Sequence, residues 1–181
     1  EIFHNEELAE RAKALKEEIQ RAIETIGKTF TEEFGMVYAY ETDGYGMYNL
    51  MDDANVPSLL AMSYLGYEGE PEVSSNTRRF LLSEANPFYF KGDKAAGIGS
   101  PHTPSNYIWH IAMAIQGLTS ETREEKLEIL KNMAATTGGK GVMHEGFCCE
   151  DDSKFTRAWF SWANAMYAEL FLDYMGYQLE K

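Results

Sequence analysis

From Asn5 to Gly27 the chain reads NEELAERAKALKEEIQRAIETIG, and this stretch decides the fold class. Leu8, Ala12, Leu15, Ile19, Ile23 and Ile26 recur at steps of three and four, which places one apolar stripe along a helix. Glu7 with Arg11, Glu17 with Arg21 and Glu24 with Lys28 stand one turn apart on the polar face. Asn5 suits the N-cap and Gly27 the stop. The same period returns further along. Leu59, Leu60, Met62 and Leu65 run from Pro57 to Gly66, and another helix is predicted over residues 73–84, stopped by Asn86-Pro87. After Pro104 come Tyr107, Ile108, Ile111, Ile115 and Leu118. Thr119-Ser120 opens a further helix, with Glu121, Glu124 and Glu125 where the helix dipole favours acids, and Gly138-Gly139 ends it. Phe155, Trp159, Trp162, Met166, Leu170 and Tyr174 make a last stripe, with the two tryptophans read as core packing. One segment differs: Met36–Glu41, a Thr42-Asp43-Gly44-Tyr45-Gly46 turn and Met47–Leu50 predict a β-hairpin near residues 36–50.

The expected fold class is therefore all-α with one small hairpin, as a single domain over residues 1–181. The connections at 35–55, 86–103 and 139–154 are long and rich in Gly, His, acidic and aromatic residues. Loops of that length usually carry function, and helices bearing them at one end suggest a helical barrel or toroid with a polar mouth.

With 44% hydrophobic and 25% charged residues the composition is that of a globular protein, which excludes a disordered tail or fibre. Sixteen Lys and Arg against 29 Asp and Glu give a net charge of −13, which disfavours nucleic acid and anionic membrane surfaces as partners. No stretch approaches the roughly 20 apolar residues of a spanning helix. Cys148 and Cys149 are adjacent, and neighbouring cysteines bridge only through a strained ring, so neither a disulfide scaffold nor a Cys-based zinc site is expected. Glu1-Ile2-Phe3-His4-Asn5 lacks the basic start and apolar run of a signal peptide, and no residue assigns a compartment.

Four stretches offer chemistry. In Met51-Asp52-Asp53-Ala54-Asn55, two carboxylates and an amide meet at a strand-to-helix junction, where they either line one cleft or act as helix caps. Met143-His144-Glu145-Gly146-Phe147 offers Glu145 as a general acid or base, against the plainer reading of a solvated loop glutamate. Gly97-Ile98-Gly99-Ser100-Pro101-His102 lacks the Lys of a phosphate loop and reads as a turn presenting His102, or as a plain loop. Arg157 lies off the last apolar stripe, placed for a carboxylate or a ligand hydroxyl. His102 and His110 lack ligand spacing, so no metal or cofactor is expected. Aromatic faces beside carboxylates and amides suit a pyranose, with its apolar face and hydroxyl rim.

Taken together, Asp52–Leu60, Gly97–His102, Met143–Glu145 and Thr156–Asn164 resemble glycoside hydrolase family 125, and Thr77-Arg78-Arg79 and Ser83–Pro87 match it as well. The resemblance spans nearly the whole chain, with the strings in the family's order. It implies roughly half of an (α/α)₆ barrel, the C-terminal half. It implies an inverting, metal-independent exo-α-1,6-mannosidase acting on a mannose-containing oligosaccharide or glycan. Glu145 is then the general base, and an upstream aspartate beyond this chain the general acid. The remaining N-terminal half, or a second chain, is expected to complete the barrel and cover an apolar face. Asp52, Asp53, Asn55, His102 and Arg157 become candidates for the sugar-binding wall. The alternatives carried beside it are a carbohydrate-binding module without turnover and a helical interaction domain.

Overall fold

A computed structural model describes residues 5–177. Five α-helices lie among the described residues: α1 Glu6–Ile26, α2 Pro71–Leu81, α3 His110–Leu118, α4 Arg123–Ala135 and α5 Ser161–Tyr174. Between them run short strands: β1 Lys28–Thr31, β2 Gly35–Tyr38, β3 Glu41–Thr42, β4 Tyr48–Asn49, β5 Tyr89–Lys91, β6 Ala96–Ile98, β7 Tyr107–Trp109, β8 Gly146–Cys148 and β9 Asp151–Thr156. They form three antiparallel pairs, β1–β2, β3–β4 and β5–β6, and one three-stranded sheet, β7–β8–β9. The protein is mostly helical with small sheets, and carries more β-structure than the one hairpin expected.

Helix α3 is the centre. Its residues are buried nearly all round, from His110 through Ile115, as an apolar helix enclosed by other elements must be. Helices α4 and α5 pack on it. Their buried positions, Ile129, Leu130 and Met133 on one and Ala163, Met166 and Leu170 on the other, keep the three-and-four spacing.

α1 begins at Asn5, whose side chain accepts from the Leu8 N–H at 3.0 Å, as its sequence predicts. None of its residues is buried; Leu8, Leu15, Ile19 and Ile26 stay exposed. Its C-terminal end alone is tied down. The Glu24 carboxylate accepts from Lys28 Nζ at 2.8 Å, Tyr38 O–H at 2.8 Å and Tyr67 O–H at 2.6 Å, and Lys28 also pairs with Glu70. Burial pushes Glu24 up, but these donors outweigh it and hold it at about 2.

Several local expectations are corrected. The hairpin of residues 36–50 divides. Its tip is as read, with the Asp43 carboxylate accepting from the Tyr45 and Met47 N–H groups, but β3 pairs with β4 while β2 turns back onto β1. The earlier turn at residues 32–35 wins because Gly35 adopts φ +81 and Thr31 Oγ1 both accepts from Phe34 and donates to the Gly35 carbonyl. Residues 60–66 form turns instead of a helix. There the Leu59 and Leu60 N–H groups are taken by Asp52, and the chain reverses at Gly66 with φ +79. Part of the glycine-rich loop forms the β5–β6 pair, and Tyr107–Trp109 is a strand ahead of α3. Thr122, not Thr119-Ser120, caps α4 by accepting from Glu125.

The last correction bears on the site. Phe155 belongs to β9, and α5 starts only at Ser161. Arg157 breaks the stripe with φ +44, and Trp159 and Trp162 are 64% and 40% exposed rather than core.

A row of close backbone contacts joins the loops. Ala54 N–H donates to the Gly99 carbonyl at 3.1 Å, Gly99 bridges Ile108, and Ile108 pairs with Phe147 and Phe147 with Phe155. Gly99 is required there, since a Cβ would lie 2.1 Å from the Tyr107 carbonyl oxygen. Gly99→Ala should therefore destabilise the chain by about 1–3 kcal/mol in urea titration; an unchanged midpoint would show that the row tolerates separation.

Candidate active site

Glu145 stands immediately before β8, and both its neighbours are fixed. The His144 N–H donates to His110 Nδ1 at 3.0 Å, and the Gly146 N–H donates to Thr156 Oγ1 at 3.1 Å. One residue earlier, Asn164 of α5 clamps Met143, accepting from its N–H and donating to its carbonyl, both at 3.1 Å. The Glu145 carboxylate, 13% exposed, meets Arg157 Nε at 3.2 Å. The pair forms because the β8–β9 register sets Gly146 opposite Thr156, which brings the flanking Glu145 and Arg157 together. Arg157 is two-thirds exposed, with its guanidinium 5.5 Å from the centre of the Phe160 ring.

Trp109 connects this pair to the other candidates. Its ring lies so close to Gly146 that a Cβ there would stand 3.0 Å from it, and its N–H donates to Thr103 Oγ1 at 2.9 Å. The adjacent His102 is exposed, with Nε2 3.9 Å from Asp53 Oδ2. Asp53 in turn accepts from Asn55 Nδ2 at 3.2 and 3.1 Å on its two oxygens. Asp53, Asn55 and His102 thus form one group and Glu145 and Arg157 another, with Trp109 touching a sequence neighbour of each, Thr103 and Gly146.

Asp52 does not join them. It is fully buried, and its two oxygens accept from the Leu59 and Leu60 N–H groups at 2.9 and 3.0 Å. Asp52 therefore closes the loop to Leu60, with no helix there to cap, which corrects the expectation of two carboxylates sharing a cleft. Sequence reasoning missed Trp109, Thr103 and Asn164 as organisers; the one signal for Trp109 was its place directly after the β-forming Tyr107-Ile108. A groove of about 760 Å³ bounded by Tyr67, Ser74, Arg78, Thr119 and Glu125 is lined by none of the candidates. His110 is buried and bonded to Thr136, away from His102, and no three His, Cys, Asp or Glu side chains among the described residues are grouped to hold a metal. No helix among them is long and apolar enough to cross a membrane.

Comparison with known proteins identifies the family. The family profile described as "Metal-independent alpha-mannosidase (GH125)" matches residues 1–172. The Meiotically up-regulated gene 157 protein of Schizosaccharomyces pombe is 44% identical over 169 residues, covering 92% of this chain and 33% of that protein. A metal-independent alpha mannosidase of Streptococcus pneumoniae, solved as a non-productive complex with alpha-1,6-mannobiose, superposes with a TM-score of 0.89 at 48% identity, over 92% of this chain and 39% of its own. The scaffold is thus that of a glycoside hydrolase. Within that class the chain belongs to glycoside hydrolase family 125, the metal-independent alpha-mannosidases, and it spans about a third of the length of these two relatives.

Two buried groups give the site opposite responses to pH. Burial, against its amide donors, pushes Asp52 up to about 7, and burial pulls His110 down to about 4. A raised carboxylate contributes stability that is complete below about pH 4 and lost as pH rises through about 7; a lowered histidine contributes stability that is complete above about pH 6.5 and lost as pH falls through about 4. In Asp52→Asn only the histidine slope remains, so the urea midpoint should rise from about pH 4 to 6.5; in His110→Gln it should fall over about pH 4 to 7. Parallel profiles in the two variants would refute the assignment.

Proposed function

We propose that this chain is the base-bearing part of an inverting exo-α-1,6-mannosidase, and that Glu145 is the general base. The observation that carries this is the largely buried Glu145 carboxylate, engaged on Oε1 by Arg157, with Trp109 between the neighbouring Gly146 and the Thr103 that adjoins the His102–Asp53 pair. Oε2 is left for a water. As that water attacks the anomeric carbon of the terminal mannose, Glu145 takes its proton. The glycosidic bond breaks, and a general acid protonates the leaving oxygen. Inversion needs the two carboxyl groups roughly 6.5–9.5 Å apart, and the acid belongs to the N-terminal portion of the family's chain.

Asp53, Asn55, His102 and the outer nitrogens of Arg157 form the wall that holds sugar hydroxyls. Asp52 supports that wall from beneath by closing the loop to Leu60. The α-1,6-mannobiose bound by the streptococcal relative supports this choice of substrate. We place residues 1–181 as one domain, about half of an (α/α)₆ barrel. The open stripe of α1 is a surface for the rest of such a barrel.

The test is hydrolysis of an α-1,6-mannobioside by a full-length protein carrying this segment. Glu145→Gln should lower kcat by about 10²–10⁴ with little change in affinity. Asp53→Asn should raise KM first. Equal turnover by Glu145→Gln removes Glu145 as the base, and sugar binding without turnover in the unaltered protein favours a binding module.

A further inference from the structure

The ring of His144 is fully buried, and both its nitrogens face carbonyl oxygens: Nδ1 lies 2.7 Å from Ala158 O and Nε2 lies 2.9 Å from Thr137 O. A carbonyl only accepts. A neutral imidazole has one N–H, so either tautomer would aim a lone pair at a carbonyl oxygen in a site without water to intervene. The next histidine makes the opposite case. His110 Nδ1 lies 3.0 Å from the His144 backbone nitrogen and 3.2 Å from the His144 carbonyl oxygen; accepting the shorter, N–H contact puts its proton on Nε2, to be donated to Thr136 Oγ1 at 3.1 Å. The Thr136 hydroxyl passes its own proton to the Asn132 carbonyl at 2.8 Å, so that chain is satisfied with His110 neutral. The two buried rings stand 5.8 Å apart.

We propose that His144 is held as an imidazolium donating to Thr137 and Ala158, and that this buried cation is the positioning residue for the Glu145–Arg157 pair. Its backbone leads directly into Glu145, and the Ala158 carbonyl it grips follows directly on Arg157, so one ring fixes the roots of both side chains. Phe155 stacks on it at 3.9 Å and 8°, a face suited to a cation. The titratable and charged groups around it are neutral His110 on α3, Asp152 on β9, whose carboxylate accepts from Gly138 beside Thr137, and the Glu145–Arg157 pair itself. The protonation state stands on hydrogen-bond geometry alone; its part in turnover rests on Glu145 as the base.

Ring-nitrogen NMR of the ¹⁵N-histidine-labelled chain at pH 7.5 tests the first part. One histidine should show both nitrogens protonated, and that signal should vanish in His144→Gln. A second should show a fixed Nε2–H tautomer that vanishes in His110→Gln. Four neutral or averaging rings at that pH, whether from the folded chain or from one that fails to fold, overturn the proposal. In the full-length protein His144→Gln should lower kcat about 10- to 100-fold with KM within about twofold, and an unchanged kcat removes the positioning role. If the imidazolium is present and the unaltered protein does not cleave mannobioside, the protonation state stands and the base assignment falls.

Discussion

The backbone from Met143 to Gly146 is held by buried and part-buried hydrogen bonds to side chains of three other elements, and the candidate site depends on that match. Asn164 reads both the N–H and the carbonyl of Met143, His110 accepts from His144, and Thr156 accepts from Gly146. These partners come from α5, α3 and β9, so three elements converge on the four residues around Glu145. Side chains bonded this way cannot be exchanged singly, because each removal strands a buried group at about 1–3 kcal/mol. The rigidity of Glu145 follows from these partners more than from the hydrophobic core beneath it.

Much of this was legible in sequence where the pattern is local. The α1 stripe, its Asn5 cap, the Asp43-Gly44 tip and the stop at Gly27 each depend on residues within one or two turns, whereas α2 ends at Leu81, ahead of the Asn86-Pro87 stop. What failed depended on competition between distant groups. Leu59 and Leu60 have a helical pattern and their N–H groups donate to Asp52, yet the chain makes only turns before it reverses at Gly66 with φ +79. Phe155 and Trp159 keep the period of α5, yet the strand pairing of Phe155 with Phe147 and the positive φ of Arg157 end that continuity.

The site residues show the same division. The candidates Glu145, Asp53, Asn55, His102 and Arg157 were readable because they fall in the multi-residue strings that carry the family resemblance. Their pairing was not. Whether Glu145 meets Arg157 is decided by the β8–β9 register, and of the two buried aspartates Asp52 is committed to the Leu59 and Leu60 amides while Asp53 meets Asn55 and His102. The organiser Trp109 was hidden because a tryptophan before an apolar helix reads as core, which it also is at 3% exposed.

The contrast between the two ends of the chain bears on what surrounds it. Around Glu145 the polar groups are paired within the chain. α1 is 21 residues long, has no buried residue and is anchored mainly through Glu24 near its end. Helices gain most of their stability in proteins from packing an apolar face, and this one has its face open at Leu8, Leu15, Ile19 and Ile26. Each of those side chains still has a large part of its apolar area to bury, at roughly 25 cal/mol per Å². The matched segment makes up only 33% and 39% of the two relatives' length. An open apolar stripe at one end, beside a loop whose polar groups are paired at the other, gives α1 little packing of its own and leaves its face as the surface on which burial has most to add.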